Sequence, residues 1–212
     1  MMSRPHVTVF LAIAAAVWGA LLVLQGTQVH AAWMGPLGSV VGVLMLLLAG
    51  FDKWLWKLKF LYPWFVDVPN INGTWKGELV STWTDPKTGQ HVPPIAVYLL
   101  VKQTFSTLQM RMMTKESASE LLAGAIIKEG TTVTATGLYR NIPKLNHRDR
   151  SPIHYGGILL HVQGIDAEGG LRLEGQYWTD RKTDGTLLFH DRTDKVFDDF
   201  YRASKADYTT SV

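Results

Sequence analysis

The 212-residue sequence predicts a membrane-anchored all-β protein, in which two transmembrane helices precede a roughly eight-stranded antiparallel β-barrel and a short C-terminal helix. Two observations predict this class. No Asp, Glu, Lys or Arg occurs between Arg4 and Asp52, and beyond Asp52 the sequence changes to short alternating apolar runs separated by turn residues. We therefore expect a transmembrane hairpin with a juxtamembrane segment at residues 1–61 and a cytoplasmic barrel domain at residues 62–212.

The uncharged region contains two apolar runs, residues 7–24 and 31–51, joined by the polar link QGTQVH. Each run approaches the ~20 residues that a helix needs to cross a bilayer, and a backbone in hydrocarbon must pair its amides within the segment. Lys and Arg flank the hairpin at both ends and are missing from the link, which places both termini in the cytoplasm. The alternative is a secretory signal peptide with a cleavage-like site at Val29-His30-Ala31, but the second apolar run favours the hairpin.

The connector FDKWLWKLKFLYPWFVDVPN, residues 51–70, interleaves aromatic residues with lysines. This pattern indicates a segment that lies along the lipid headgroups and continues the second helix. The expected interfacial anchors are Trp33, Trp54, Trp56, Tyr62 and Trp64.

Strand-like segments then recur at short intervals, with turn sequences such as DPKTG, KEG and TDG between them. About eight strands can close a barrel whose interior is either filled by side chains or holds one small ligand. A short amphipathic helix is expected within residues 195–205. The predicted strands cover residues 73–83, 95–102, 105–113, 121–128, 131–140, 154–162, 171–179 and 187–192.

Alternation along the strands indicates which residues face the barrel interior, because successive side chains point to opposite faces. In LRLEGQYWTDR one face starts with leucines and ends with Tyr177, Thr179 and Arg181. In TTVTATGLYRN the same change leads to Tyr139 and Asn141. An interior that becomes polar at one end would suit a ligand with flat rings and anionic groups; the alternative is that these are rim residues that satisfy strand ends.

Composition and motifs exclude several function classes. All 18 acidic residues and 20 of the 21 Lys and Arg lie from Asp52 onward, so this part carries a net charge of only +2, too little to predict binding of a nucleic-acid polymer. The chain has no cysteine and no Walker loop, GxSxG or HExxH motif, and NHRDRSP, residues 146–152, is interpreted as a charged surface loop. We therefore expect no enzymatic activity, no cofactor and no metal.

Four segments carry a family resemblance: GTWKGEL, TFSTLQMRMMTKESASE, TGLYRNIP and LEGQYWTDRKTDGTL, all after two apolar spans. In this order they resemble the two-transmembrane β-barrel effectors of bacterial anti-phage signalling, namely the SMODS-associated effectors of CBASS operons and their relatives in the Panoptes system. The resemblance covers essentially the whole chain. A secreted lipocalin shares the opening G-x-W but lacks the second span.

The resemblance implies a receptor in the bacterial inner membrane. Its barrel would sense a cyclic di- or oligonucleotide made by a partner nucleotidyltransferase and would control self-association of the hairpins into a homo-oligomer that disrupts the lipid bilayer, causing abortive infection. In CBASS-type effectors the nucleotide activates the effector, whereas in the Panoptes relatives it keeps the effector inactive. The sequence does not decide between activation and inhibition by the ligand. It also leaves open the alternative of a lipocalin-like barrel that binds a small hydrophobic ligand or acts as an assembly module.

The resemblance also implies ligand-binding residues. Aromatic side chains would stack on bases, Arg181 would pair with a phosphate, and hydroxyl and amide groups would bond to base edges or ribose. The matched segments contribute Thr114, Ser117, Ser119, Tyr139, Asn141, Tyr177, Thr179 and Arg181. Strand alternation adds Trp75 and His154.

Overall fold

The computed structural model describes residues 51–85, 88–164 and 170–210, together with helical residues at 12, 15–16, 19–20, 23–24, 42 and 45–50. Within these described residues, none of the helices has both the length and the apolar composition needed to span a bilayer. The two predicted spans, residues 7–24 and 31–51, fall largely outside the described residues and stay predictions.

The chain divides into two compact units, which we describe separately. The first comprises Met1–Leu61 with Thr104–Ser106, and the second comprises Tyr62–Gln103 with Thr107–Val212. The predicted functions of these two parts, a membrane anchor at residues 1–61 and a sensing domain at residues 62–212, stay predictions.

In the first unit, the helix that contains residues 45–53 does not continue through the connector as expected. Two single turns of 3-10 helix follow instead, at Leu55–Lys57 and Lys59–Leu61. Trp56 is 2% exposed, so its predicted role as an interfacial anchor is wrong, whereas Trp54 is 62% exposed. In the same unit the Asp52 carboxylate accepts hydrogen bonds from the Ser106 amide at 2.9 Å and the Thr104 hydroxyl at 3.2 Å.

The second unit is an antiparallel β-barrel, as predicted. Each strand pairs with the next along the chain, and β8 pairs back onto β1, so eight strands form a closed ring. Closure gives the ring no unpaired edge, which an open sheet would leave exposed. The strands are β1 (Gly73–Ser81), β2 (Ile95–Gln103), β3 (Leu108–Met113), β4 (Ser117–Glu129), β5 (Thr132–Pro143), β6 (His154–Gly164), β7 (Leu171–Thr179), β8 (Asp184–Thr193) and β9 (Thr209–Thr210).

Side chains fill the barrel. The strands alternate between buried and exposed positions, and the inward positions form one apolar cluster drawn from all eight strands of the ring. Its fully buried members include Trp75, Leu99, Leu160, Leu173 and Phe189. Eight strands enclose a space that such side chains can occupy completely, so the core of the protein is the barrel interior.

The ends of several elements differ from the predicted ones. The strand β4 begins at Ser117, four residues before the predicted start, because Thr114 and Ser117 close a tight turn and the strand continues from there to a register shift between Leu121 and Ala123. The C-terminal helix is confined to Phe200–Ser204, since Asp199 has extended backbone dihedrals and caps the helix by accepting from the amides of Tyr201 and Arg202. The two-residue strand β9 was not predicted; it pairs with Asp191 and Arg192 of β8.

Candidate functional site

Three polar side chains are buried inside one end of the barrel, where β4, β5 and β6 lie side by side. Ser119 pairs in register with Asn141, and Asn141 with His154. The Ser119 hydroxyl donates to Asn141 Oδ1 at 3.0 Å, and Asn141 Nδ2 lies 3.3 Å from His154 Nε2. His154 Nδ1 lies 2.9 Å from the Pro152 carbonyl and 3.4 Å from Arg181 Nη1; the tautomer with its proton on Nδ1 satisfies the contacts with Pro152 and Asn141.

Two tyrosines continue this interior surface toward the same end. Tyr139 and Tyr177 are both buried, and the Tyr139 hydroxyl donates to the Trp178 carbonyl at 3.5 Å. Burial raises the pKa of Tyr139 far above its ordinary value of 10, with smaller contributions from Tyr177 and Asp180. Burial also raises the pKa of Tyr177, although a hydrogen bond with Ser81 opposes this. Both phenols are therefore neutral and remain hydrogen-bond donors at physiological pH.

The turn between β7 and β8 places Thr179 and Arg181 at the rim. The hydroxyls of Thr179 and Thr183 lie 2.7 Å apart, and the Thr179 hydroxyl accepts from the Arg181 amide at 3.2 Å. The Arg181 side chain is exposed and donates from Nη1 to the Ser151 hydroxyl at 2.8 Å. No carboxylate in the described part of the chain pairs with Arg181, so its charge is available to an anion.

We name this region the polar end and define it as Ser119, Tyr139, Asn141, His154, Tyr177, Thr179 and Arg181. The structure thus brings together seven of the ten predicted site residues. Ser151, the partner of Arg181, was missed, because it belongs to the loop that was interpreted only as charged surface.

The other three predicted residues are not part of this group: Thr114 and Ser117 lie at the same end of the barrel but in a turn, and Trp75 lies at the other end. Thr114 and Ser117 form the β3–β4 turn, where the Thr114 hydroxyl accepts from the Ser117 amide at 3.0 Å, so these hydroxyls close the turn. Trp75 is fully buried near the start of β1, at the opposite end of the barrel. Its Nε1 donates to the Ile71 carbonyl at 2.9 Å, and the Arg192 guanidinium lies 5.4 Å from its ring centroid.

The barrel interior has almost no free space. A cavity of about 10 Å³ lies below Ser119 and Tyr139, which is room for about one water molecule. Met110 and Met112 line it together with Leu99, Leu121 and Ile158. A ligand as large as a nucleotide or a lipid does not fit in this cavity.

A larger cavity lies on the outside of the barrel at the same end. This outer groove has a volume of about 340 Å³. One wall consists of residues of β3, β4 and the turn between them. The second consists of the end of β5 and the segment after it, and the third of the residues around the start of the C-terminal helix. The lining residues are Arg111, Met113, Thr114, Ser117, Ala118, Glu120, Ile142, Pro143, Lys144, Arg148, Asp198, Asp199 and Phe200.

Comparison with known proteins supplies the family. Residues 66–191, more than half of the chain, match the family described as "Cap15, cyclic dinucleotide receptor domain". The CD-NTase-associated protein 15 of Staphylococcus schleiferi is 25% identical over 167 residues, which cover 79% of this chain and 85% of that protein. The matched range contains the whole polar end, whereas Asp198, Asp199 and the C-terminal helix lie beyond it.

Proposed function

Because the chain belongs to the family of Cap15 cyclic dinucleotide receptor domains, we propose that its barrel binds a cyclic dinucleotide at the polar end and acts as the effector of a CBASS-type anti-phage system. The observation that carries this proposal is the family match over residues 66–191. The polar end supports it, because hydrogen-bonding groups and an unpaired cation are concentrated there.

The chemistry of the ligand fits these groups. A cyclic dinucleotide has two anionic phosphodiesters and two flat bases. The exposed guanidinium of Arg181 offers a fork of donors to a phosphate, and exchanges its bond to Ser151 for one to the ligand. The neutral tyrosines, the histidine and the amide are buried, so in this conformation they can contact a base only through the few atoms that reach the rim.

The name of the Staphylococcus schleiferi relative suggests which kind of enzyme makes the ligand. This name describes that protein as associated with a CD-NTase, and we propose that a partner nucleotidyltransferase of this kind makes the cyclic dinucleotide that this chain senses. No chemical step is assigned to the barrel itself.

We further propose that ligand occupancy controls self-association of the barrels, and that clustered N-terminal hairpins then disrupt the bacterial inner membrane. Physically, the ligand must bind one assembly state better than the other, since equal affinity for both shifts nothing. Tethering to a lipid surface favours assembly by raising the local concentration of barrels. If the ligand prefers the dispersed state it silences the effector, as in the Panoptes relatives.

Arg181→Gln tests the binding site. Each hydrogen bond to a charged group contributes about 1.5–3 kcal/mol, so we expect this variant to bind the cyclic dinucleotide roughly tenfold to a hundredfold more weakly, without a change in melting temperature. Calorimetry of the full-length chain with a panel of cyclic dinucleotides is the measurement.

Arg172→Gln is the matched control. Arg172 is a partly exposed arginine of β7 that contacts Gln163 and Glu174, away from the polar end. We expect it to leave binding unchanged. If no member of the panel binds the wild-type chain, the receptor proposal fails. Equal weakening by both variants would mean that the arginines act only through net charge.

A further inference from the structure

The outer groove is a second cavity that the family match does not assign. The walls from β3, β4 and β5 lie within the matched residues 66–191, but the third wall, Asp198, Asp199 and Phe200, follows them in the chain. At about 340 Å³ the groove lies near the lower end of the ~300–1,000 Å³ typical of small-molecule sites, and it is far larger than the cavity inside the barrel.

Its carboxylates are all engaged by neighbouring groups. Glu120 pairs with Arg111 across the strands β3 and β4. Asp199 accepts from two backbone amides as the helix cap, and Asp198 lies 3.8 Å from Arg202. Arg111 and Arg202 thus neutralise Glu120 and Asp198, whereas Asp199 keeps its charge. The two further cations of the groove therefore face a single uncompensated carboxylate, which leaves an excess of one positive charge.

Two cations remain. Lys144 lies over the ring of Tyr201 at 5.1 Å, and Arg148 donates from Nε to the Pro143 carbonyl at 3.2 Å. In the described part of the chain, neither side chain pairs with a carboxylate, and both are exposed. The Nε of Arg111 adds a buried donor that has no acceptor among the described residues. The groove thus presents spare positive charge and spare donors.

Part of the remaining lining is apolar. Ile142, Pro143 and the ring of Phe200 form part of the wall. Phe200 is fixed edge-on against Tyr98 of β2, with ring centroids 5.3 Å apart. Cations beside a fixed aromatic ring are the groups that bind a phosphate and the base attached to it.

We propose that the outer groove binds a phosphate carried on a nucleotide, with Lys144 and Arg148 on the phosphate, and that the bound nucleotide holds the C-terminal helix against the barrel. Lys144 and Arg148 lie on the barrel side of the groove, and Phe200 is the first residue of the helix, so a ligand between them joins the two. The shared chemistry is a nucleotide phosphate; its source is either the cyclic dinucleotide or a linear mononucleotide.

The test uses the full-length chain with AMP, inorganic phosphate and cyclic di-AMP as separate probes. Calorimetry measures binding, and hydrogen exchange follows the amides of the C-terminal helix. Arg148→Gln is the main variant, because it removes the charge and spares the Lys144–Tyr201 contact. Arg148→Lys keeps the charge, and Arg172→Gln is the control away from the groove.

We expect at least one nucleotide to bind and to slow exchange in the C-terminal helix. Arg148→Gln is expected to weaken this binding at least about tenfold and to remove the protection, Arg148→Lys to restore most of both, and Arg172→Gln to change neither. Binding of AMP identifies a mononucleotide, and binding of cyclic di-AMP alone identifies the cyclic ligand.

Three results overturn the proposal: no nucleotide binds, binding is insensitive to Arg148→Gln, or bound nucleotide leaves exchange in the helix unchanged. The polar end is tested separately. If Arg181→Gln abolishes nucleotide binding and Arg148→Gln does not affect it, the receptor function stands and the groove proposal fails.

Discussion

At the scale of single residues, the Ser119–Asn141–His154 chain is a buried polar network inside an otherwise apolar barrel. All three side chains are buried, and Asn141 bonds to both of its neighbours. A buried polar group that loses its partner keeps the full cost of having left water. This network therefore stabilises the barrel only as long as every member is present.

Replacing Asn141 with leucine should destabilise the barrel by about 1–3 kcal/mol, because the Ser119 hydroxyl loses its acceptor and His154 Nε2 loses its donor. Denaturant unfolding followed by tryptophan fluorescence measures this. Asn146→Leu, on the exposed turn Leu145–His147, is the control and should change stability by less than about 0.5 kcal/mol. Similar shifts for the two variants would contradict the role of the network.

Strand alternation predicted which face of a strand is buried, but not what lies at each end of the barrel. It correctly placed Tyr139 and Asn141 on one face, because the two-residue period is local. It also correctly placed Trp75 on the inward face, but it could not show that Trp75 lies at the opposite end of the barrel, because that depends on the position along the strand. Alternation also gave no sign that the Thr114 hydroxyl bonds within its own turn.

At the scale of elements, the C-terminal helix depends on its surroundings. It has five residues, too few for a helix to persist alone. Phe200 and Ala203 pack against Tyr98, Leu100 and Met113 on the outer surface of the barrel. The sequence predicted a helix here from its apolar spacing, but the outer groove joins residues almost 90 positions apart, Arg111 and Phe200, which no local pattern reveals.

Asp199→Ala should loosen the C-terminal helix by about 0.5–2 kcal/mol, because the amides of Tyr201 and Arg202 lose the carboxylate that caps them at 2.9 and 3.1 Å. We expect faster hydrogen exchange at those two amides and unchanged exchange in β4 and β5. Asp198→Ala removes the same charge without removing the cap. If it accelerates exchange as much as Asp199→Ala, charge and not capping is responsible.

At the scale of the whole molecule, the proposed output depends on the N-terminal region. Among its described helical residues, Leu46 and Leu47 are 75% and 58% exposed. Long apolar side chains at such positions suit contact with lipid or with a neighbouring hairpin. Replacing them with asparagine would place a polar side-chain amide in the hydrocarbon, which is unfavourable.

Leu46→Asn with Leu47→Asn should abolish killing of cells that produce the activating signal, while calorimetry shows unchanged binding of the cyclic dinucleotide. The control carries Leu→Asn substitutions at Leu138 and Leu145, which are exposed leucines of the barrel unit, and should remain toxic. Persistent killing by the Leu46/Leu47 variant would exclude the membrane mechanism. Killing that appears when the synthase is absent would show that the ligand silences the effector.

The closed and filled ring has a mechanical consequence. Each of its eight strands is hydrogen-bonded on both sides, and β1 is fastened to β8 as well as to β2. Such a ring has no hinge, and widening it would break a whole seam of backbone bonds together. The barrel is therefore expected to be stiff. Any conformational change caused by a bound ligand would be transmitted through the loops and the chain segments attached to its rim.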